Sequence, residues 1–382
     1  MDGAYDAIVL GLGAMGSATA YHLARRGRRV LGLDAHPRGH ALGSSHGRSR
    51  IIREAYFEAP DYVPLVRRAY DLWRELEAAS GRHLLTVVGG LNIGRPASET
   101  VAGALASARQ HGLPYEELSP AAVAARFPGF RLPDDLVAVY EPNAGFLDPE
   151  ACVGAHLDLA AAHGADLRHG EAALRWAADG AGVRVETAGA TYRADRLVIA
   201  AGPWAGEVLA GLGLPLEVWR IVNVHFAPAA PERFAPERCP IYLFEVPEGQ
   251  YYGFPALPGQ GLKIGRHDAG EVCTPATIRR EVAPAEIDAL RAVLDRYLPG
   301  AAGPVLWTLT CMYTNTPDRH FVLDRHPAHP QVVYGCGFSG HGFKFAAAIG
   351  EVLADLALDG ATRHPIGFLG AGRFAPATRV DD

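Results

Sequence analysis

The chain has 382 residues, roughly two and a half times a typical single domain, so two domains are the first expectation. Its 42 acidic and 36 basic residues give a net charge of −6 with no Lys/Arg block, which argues against a nucleic-acid or anionic-membrane partner. Apolar residues at 49% and charged residues at 20% suit a full globular core and exclude a disordered chain.

A short apolar strand is expected over 7–10, and Gly11-Leu12-Gly13-Ala14-Met15-Gly16 follows it directly. The run is cut by glycines and lacks a preceding basic segment, so it does not read as a signal peptide. A helix then extends over 14–26 to a stop at Gly27, and a strand over 30–33 ends in Asp34. Gly11 suits a tight turn, Gly13 lets a pyrophosphate approach the backbone, and Gly16 lets helix and strand pack closely. The helix N-terminus offers free N–H groups and a positive dipole end to phosphates. Asp34 can accept hydrogen bonds from a ribose diol and would repel a 2′-phosphate, which disfavours NADP and leaves NAD and FAD open.

Apolar positions at helical spacing (Val63, Val66, Tyr70, Trp73, Leu76) predict a helix over 61–81. Residues 84–93 read as a strand, and 102–111 and 150–163 as helices. A hairpin then precedes an apolar strand over 197–200, which ends in Ala201-Gly202-Pro203-Trp204. The longest apolar stretch, 197–219, contains Gly, Pro and Glu207 and cannot be a spanning helix. Strand-rich sequence with Pro and Gly turns fills 218–311. A strand over 332–335, the turn Gly337-Phe338-Ser339-Gly340-His341-Gly342 and a helix over 343–358 repeat the order of the N-terminus. A nucleotide domain split around an inserted domain is more typical of FAD proteins than of NAD dehydrogenases.

Cys152, Cys239, Cys273, Cys311 and Cys336 are odd in number and widely spaced. They form no disulfide framework, and no His/Cys cluster has metal-ligand spacing, so no metal is expected and a reducing cytoplasm fits. Lysine usage is more telling. Lys263 and Lys344 are the only lysines; every other basic residue is Arg. Arg serves wherever only charge is needed, whereas a compact, movable ammonium with a tunable pKa requires Lys.

Several segments together carry a family resemblance: Gly43-Ser44-Ser45-His46-Gly47-Arg48-Ser49-Arg50-Ile51-Ile52-Arg53, Tyr251-Tyr252-Gly253-Phe254-Pro255, Gly261-Leu262-Lys263-Ile264-Gly265-Arg266-His267, Cys311-Met312-Tyr313-Thr314-Asn315-Thr316-Pro317-Asp318, and the run from Gly337 to Lys344. With them the chain resembles, over nearly its whole length, the monomeric sarcosine oxidases and N-methyltryptophan oxidases among the FAD-dependent amine-oxidising flavoproteins. The resemblance implies an α/β (α+β two-domain) fold. A Rossmann-like FAD domain would cover 1–84, 142–217 and 312–382, interleaved with a mixed-sheet substrate domain over 85–141 and 218–311. It further implies oxidation of sarcosine or a similar N-methyl amino acid by O2 with release of H2O2, in a monomer. An oxidase of N-methyltryptophan, pipecolate or another cyclic imino acid is the alternative.

The resemblance also distributes roles. Gly11, Gly13, Gly16, Asp34, Ser44, Gly340, His341 and Gly342 would bind the cofactor, and Cys311 would carry it through an 8α-S-cysteinyl bond; Cys336 would be core. Arg53 and Lys344 match the family's carboxylate clamp, a bidentate fork and a point charge for an anion that cannot be buried unpartnered. A structural ion pair of Arg53 with Glu54 or Asp61 is the plainer reading. Lys263 matches a position near flavin N5, where an ammonium stabilises nascent superoxide. Arg50 and His46 map beside the flavin, and His267, Tyr252 and Tyr313 to the substrate side. There, His267 could bias the protonation of the bound amine. The chain departs from the family in reading Ser45-His46-Gly47-Arg48-Ser49-Arg50 where His-His-Gly-Asp-Thr-Arg is common. Arg266 stands where an aromatic is usual, and Leu243 lies on a pocket segment. These departures bear on flavin potential, pH optimum and substrate. A nicotinamide-dependent dehydrogenase and a non-catalytic flavin carrier are the competing classes; the C-terminal glycine turn argues against the first, Lys263 and Arg50 against the second.

Overall fold

The computed structural model describes residues 5–374. Two large sheets organise the chain. The first is parallel at its centre, in the order Asp166–His169, Val30–Asp34, Tyr5–Leu10, Thr191–Ile199, His329–Cys336. Central parallel strands are covered on both faces and so carry continuous apolar runs. Ala7, Ile8, Leu197, Val198, Ile199, Val332 and Val333 are accordingly all fully buried. The expected hairpin is present as Arg175–Asp179 with Gly182–Glu186, which extends this sheet antiparallel.

The helix Ala14–Ala24 is buried on all sides between the helices Pro149–Ala162 and Ala346–Asp359. Small residues allow this: a Cβ added at Gly350 would lie 2.5 Å from Ala18 Cβ and 2.6 Å from its carbonyl carbon. The expected C-terminal helix opens as a 3-10 turn, Phe343–Phe345, before Ala346–Asp359.

The second sheet is mixed. Its order is Glu271–Cys273, Glu217–Phe226, Gly261–Arg266, Gly249–Leu257, Ile241–Val246, Gly90–Gly94, Val137–Glu141, Glu116–Leu118, and Val305–Asn315 also pairs with Glu217–Phe226 along its length. The expected α/β class with a mixed second sheet is therefore the observed one.

Two local expectations need correction. Residues 84–93 are two strands in different sheets: Leu85–Val87 joins Arg50–Ile52 and Gly145–Leu147, and Gly90–Gly94 joins the second sheet. The break falls at Gly89 (φ +76), whose missing Cβ makes room for the Tyr140 hydroxyl. The region 218–311 is not all strand, for Pro284–Tyr297 is a helix. Pro284 opens it, the Glu286 carboxylate accepts the Ala283 N–H (2.8 Å), and Leu290, Val293, Leu294 and Tyr297 form its buried stripe. Among the described residues no helix is long and apolar enough to cross a membrane.

Candidate active site

The first strand delivers the chain into a cradle built by absent side chains. Gly11 has φ +86, and a Cβ on Gly16 would lie 1.7 Å from the Gly11 carbonyl oxygen. The Asp34 carboxylate accepts the N–H groups of Leu12 (2.8 Å) and His36 (2.9 Å), tying the glycine turn to the end of the second strand. Ser45 Oγ accepts the Ala14 N–H at 3.0 Å and faces Gly13.

From this cradle a cavity of about 680 Å³ runs past Asp34 and Ser44 to Cys311, Tyr313, Gly340 and Gly342. That volume is ample for a large cofactor. The glycine cradle, the helix start at Ala14 and the acid at Asp34 fit a dinucleotide at one end. The two glycine turns, about three hundred residues apart, thus border one space. At the C-terminal turn, Gly340 (φ +78) leaves the room that the Tyr313 ring fills, 2.3 Å from where its Cβ would be.

The floor beyond Cys311 follows from sheet register. Trp307, His225, Lys263 and Phe254 stand opposite one another across four strands, and Leu309, Asn223, Gly265 and Tyr252 form the next row on that face. Because side chains alternate, Cys311 and Tyr313 share the face of Trp307. A second cavity, about 70 Å³, opens over this floor and shares Arg50, Cys311, Tyr313, Gly340 and Phe343 with the first. Its other walls include Arg53, Glu58, Asn223, Tyr252, His267, His341 and Lys344.

Arg53 is 2% exposed, and its Nη2 donates to both Glu58 oxygens (2.7 and 2.6 Å), with Nη1 on the Ala55 carbonyl (3.0 Å). Its structural partner is thus Glu58, not Glu54 or Asp61. Burial alone would raise the Glu58 carboxyl, but Arg53, His341 and Lys344 hold it down to about 2. Lys344 Nζ donates to the His341 carbonyl at 2.7 Å; burial and Arg53 push its ammonium down to about 7 against the pull of Glu58. His341 Nε2 faces the Arg319 carbonyl (2.9 Å) and so carries the proton, leaving Nδ1 to accept from the Tyr56 hydroxyl.

Tyr252 donates its hydroxyl to Asn223 Oδ1 at 2.7 Å, and His267 Nδ1 lies 3.5 Å from the Tyr313 hydroxyl. Burial lowers His267 to about 4, so its ring is neutral at pH 7. Arg50 points Nη2 at Cys311 Sγ (3.6 Å) and at the Ser44 carbonyl (3.0 Å), while Ser44 Oγ donates to the Met312 carbonyl (2.7 Å). Cys336 is buried in its strand and lines neither cavity.

Lys263 and His46 lie behind these walls. The Lys263 ammonium donates to the carbonyls of Gly47 (2.9 Å) and Ser49 (3.0 Å) and to Ser49 Oγ (3.3 Å), over the Phe254 ring. Burial and the adjacent Arg50 guanidinium lower its pKa well below that of an ordinary lysine. His46 Nε2 contacts the Thr310 carbonyl at 3.0 Å, and burial with Arg50 lowers the ring to about 4.

Glu58 and Asn223 are wall residues that sequence reasoning passed over. Asn223 had a signal: with His225 it puts polar residues at alternate positions of the otherwise apolar run Ile221 to Phe226, marking a strand face turned to something other than core.

The FAD dependent oxidoreductase family matches residues 6–356. The chain is 50% identical to a monomeric sarcosine oxidase of Streptomyces avermitilis, covering 99% of this chain and 100% of that protein. It is 38% identical to an N-methyl-L-tryptophan oxidase of Salmonella arizonae, covering 93% and 95%. Among solved structures it is similar to NikD, an amino acid oxidase of nikkomycin biosynthesis, with TM-score 0.84, 29% identity and coverage of 96% and 97%.

Proposed function

Since this chain belongs to the family of FAD dependent oxidoreductases, we propose that it oxidatively demethylates sarcosine or a similar small N-methyl amino acid. The observation that carries the reading is the buried pair Arg53 and Lys344 on a cavity of about 70 Å³ that meets the dinucleotide cavity at Cys311 and Tyr313. FAD, when bound, supplies the two-electron acceptor that O2 regenerates with formation of H2O2.

The chain's own residues bind and orient. Arg53 offers a planar guanidinium, with Nη2 on Glu58 and Nε without a hydrogen-bond partner among the described residues, and Lys344 a point charge to the substrate carboxylate. Tyr252, with its proton committed to Asn223, has an oxygen lone pair to offer the bound amine, and Tyr313 lines the same cavity beside it. With its pKa lowered to about 4, His267 stays neutral and is a hydrogen-bond partner for the amine rather than the base that takes its proton, so the expected proton-biasing role does not suit it. The small cavity favours sarcosine over N-methyltryptophan. We further infer that the flavin is attached at Cys311, beside the Arg50 guanidinium, that Lys263 and Arg50 serve the reaction with O2, and that the protein works as a cytoplasmic monomer. We assign 1–84, 142–217 and 312–382 to the FAD domain, of which 1–4 and 375–382 lie outside the described residues, and 85–141 and 218–311 to the substrate domain.

The test is H2O2 release from a panel of sarcosine, N-methyltryptophan, pipecolate and proline, read with the fate of the chromophore. Sarcosine should be the best substrate, and acid denaturation should leave the yellow colour on the protein but not on Cys311→Ser. Release of the flavin by Cys336→Ser instead would refute the attachment, and silence toward the whole panel would refute the activity.

A further inference from the structure

We propose that Glu141, outside the pocket, is the positioning residue that holds the substrate-carboxylate clamp in register; this rests on reading Arg53 and Lys344 as that clamp. Glu141 ends the strand Val137–Glu141 and is 1% exposed. Its two oxygens accept the backbone N–H groups of Glu54 (2.5 Å) and Ala55 (3.0 Å), the two residues that follow Arg53. The carbonyl of the same Ala55 accepts Nη1 of Arg53 at 3.0 Å. Glu141 therefore fixes a short piece of backbone, and that backbone fixes the guanidinium.

The downstream part of the loop has other anchors. Ser107 Oγ donates to the Tyr56 carbonyl, and Gly103 packs so closely that a Cβ there would lie 2.3 Å from the Phe57 carbonyl oxygen. The N–H groups of residues 54 and 55 rest on Glu141 alone. Among the described residues Glu141 makes no ion pair, since the Arg53 guanidinium spends Nη2 on Glu58. A buried carboxylate with no countercharge in contact and two backbone donors is explained by holding that backbone.

Two effects of neutralising Glu141 have opposite signs. Burial raises the Glu141 carboxyl to about 7 against its two N–H donors and Arg53, so above that pH neutralising it removes a negative charge near Arg53 and, through space, would tighten binding of an anion. Through the loop, an amide of the same shape accepts only one N–H and turns its own NH2 against the other, which releases one of the two residues after Arg53 and so loosens the backbone that holds its guanidinium.

The experiment is a titration of parent and Glu141→Gln holoenzyme with acetate, followed by the flavin absorbance band, beside the limiting rate of anaerobic flavin reduction by sarcosine. The acetate Kd should rise about tenfold in the variant, with flavin content and limiting rate held within about twofold. An unchanged or tighter acetate Kd overturns the proposal. So does a fall in flavin content or limiting rate as large as the loss of affinity, the mark of general structural support. Should Glu141→Gln not fold, Glu141→Asp, which keeps both oxygens but withdraws them by one methylene, decides on the same quantities. Weaker acetate binding with an unchanged limiting rate supports the role; no loss, or equal loss in both, overturns it. A parent that binds no acetate overturns the clamp itself, an outcome separate from any difference between parent and variant.

Discussion

Lys344 sits where a single proton decides how much charge the substrate site carries. Burial and Arg53 bring its free-state pKa to about 7, while a bound carboxylate favours the ammonium. Below about pH 7 the empty site is already charged and affinity is full; above it, binding must take up a proton. The Kd of a carboxylate competitor should therefore be flat on the acid side and rise above neutrality by up to about tenfold per pH unit, the limit for one linked proton. Lys344→Met should bind more weakly throughout and lose that alkaline limb; a parallel pH profile in parent and variant would exclude Lys344 as its source. Lys263 poses a different question, because its ammonium already has acceptors at Gly47 and Ser49. Lys263→Arg keeps the charge but replaces a compact donor by a wide planar one. Stopped-flow traces should show flavin reoxidation by O2 slowed about tenfold, equivalent to about 1.4 kcal/mol, with anaerobic reduction changed far less. An unaltered oxygen rate would leave Lys263 with the loop as its whole task. The scarcity of lysine marks these two positions in the sequence, whereas nothing there marks Glu58. An acid five residues after an Arg in a loop has no periodicity, and only the folded backbone turns it back onto the guanidinium.

The helix Ala14–Ala24 can lie against Ala346–Asp359 only because Gly350 lacks a side chain. Gly350→Ala places a methyl 2.6 Å from the backbone of Ala18, which cannot move aside as a flexible side chain would. Overpacking of this kind typically costs about 1–3 kcal/mol, so the urea midpoint should fall accordingly. A midpoint equal to the parent's would mean that the two helices part without strain. Other elements show where local pattern stops being readable. The split between Leu85–Val87 and Gly90–Gly94 hides in one apolar stretch, since both halves have strand composition and Gly89 declares itself only when Tyr140 needs its space. The helix Pro284–Tyr297, by contrast, was legible: Pro284, Glu286 and the Leu290, Val293, Leu294, Tyr297 spacing are ordinary start and stripe signals, overlooked beside the surrounding strand-rich sequence.

At the scale of the whole molecule, two glycine turns at opposite ends of the chain indicated an interleaved fold, and the first sheet does draw its strands from 5–34, 166–199 and 322–336. Sequence alone could not say which strands stand side by side, because register depends on partners hundreds of residues away; yet that register is what aligns Asn223 with Tyr252 and Lys263 with His225. The same long-range pairing sets an order on how the protein comes into being. Tyr5–Leu10 finds one of its two neighbours only when Thr191–Ile199 has been made, and that strand waits in turn for His329–Cys336. At a ribosome's pace of about 5–20 residues per second, the first strand is extruded some tens of seconds before the sheet can be completed. From the synthesis of Ile199 until Val332 emerges, the nascent chain displays an open parallel edge of Leu197, Val198 and Ile199, apolar and unpaired, of the kind that seeds aggregation. The carboxyl-terminal strand is thus both the last piece of the cofactor's housing and the cover for that edge, so nascent chains stalled short of Val332 leave the ribosome sticky as well as unable to assemble the second glycine turn.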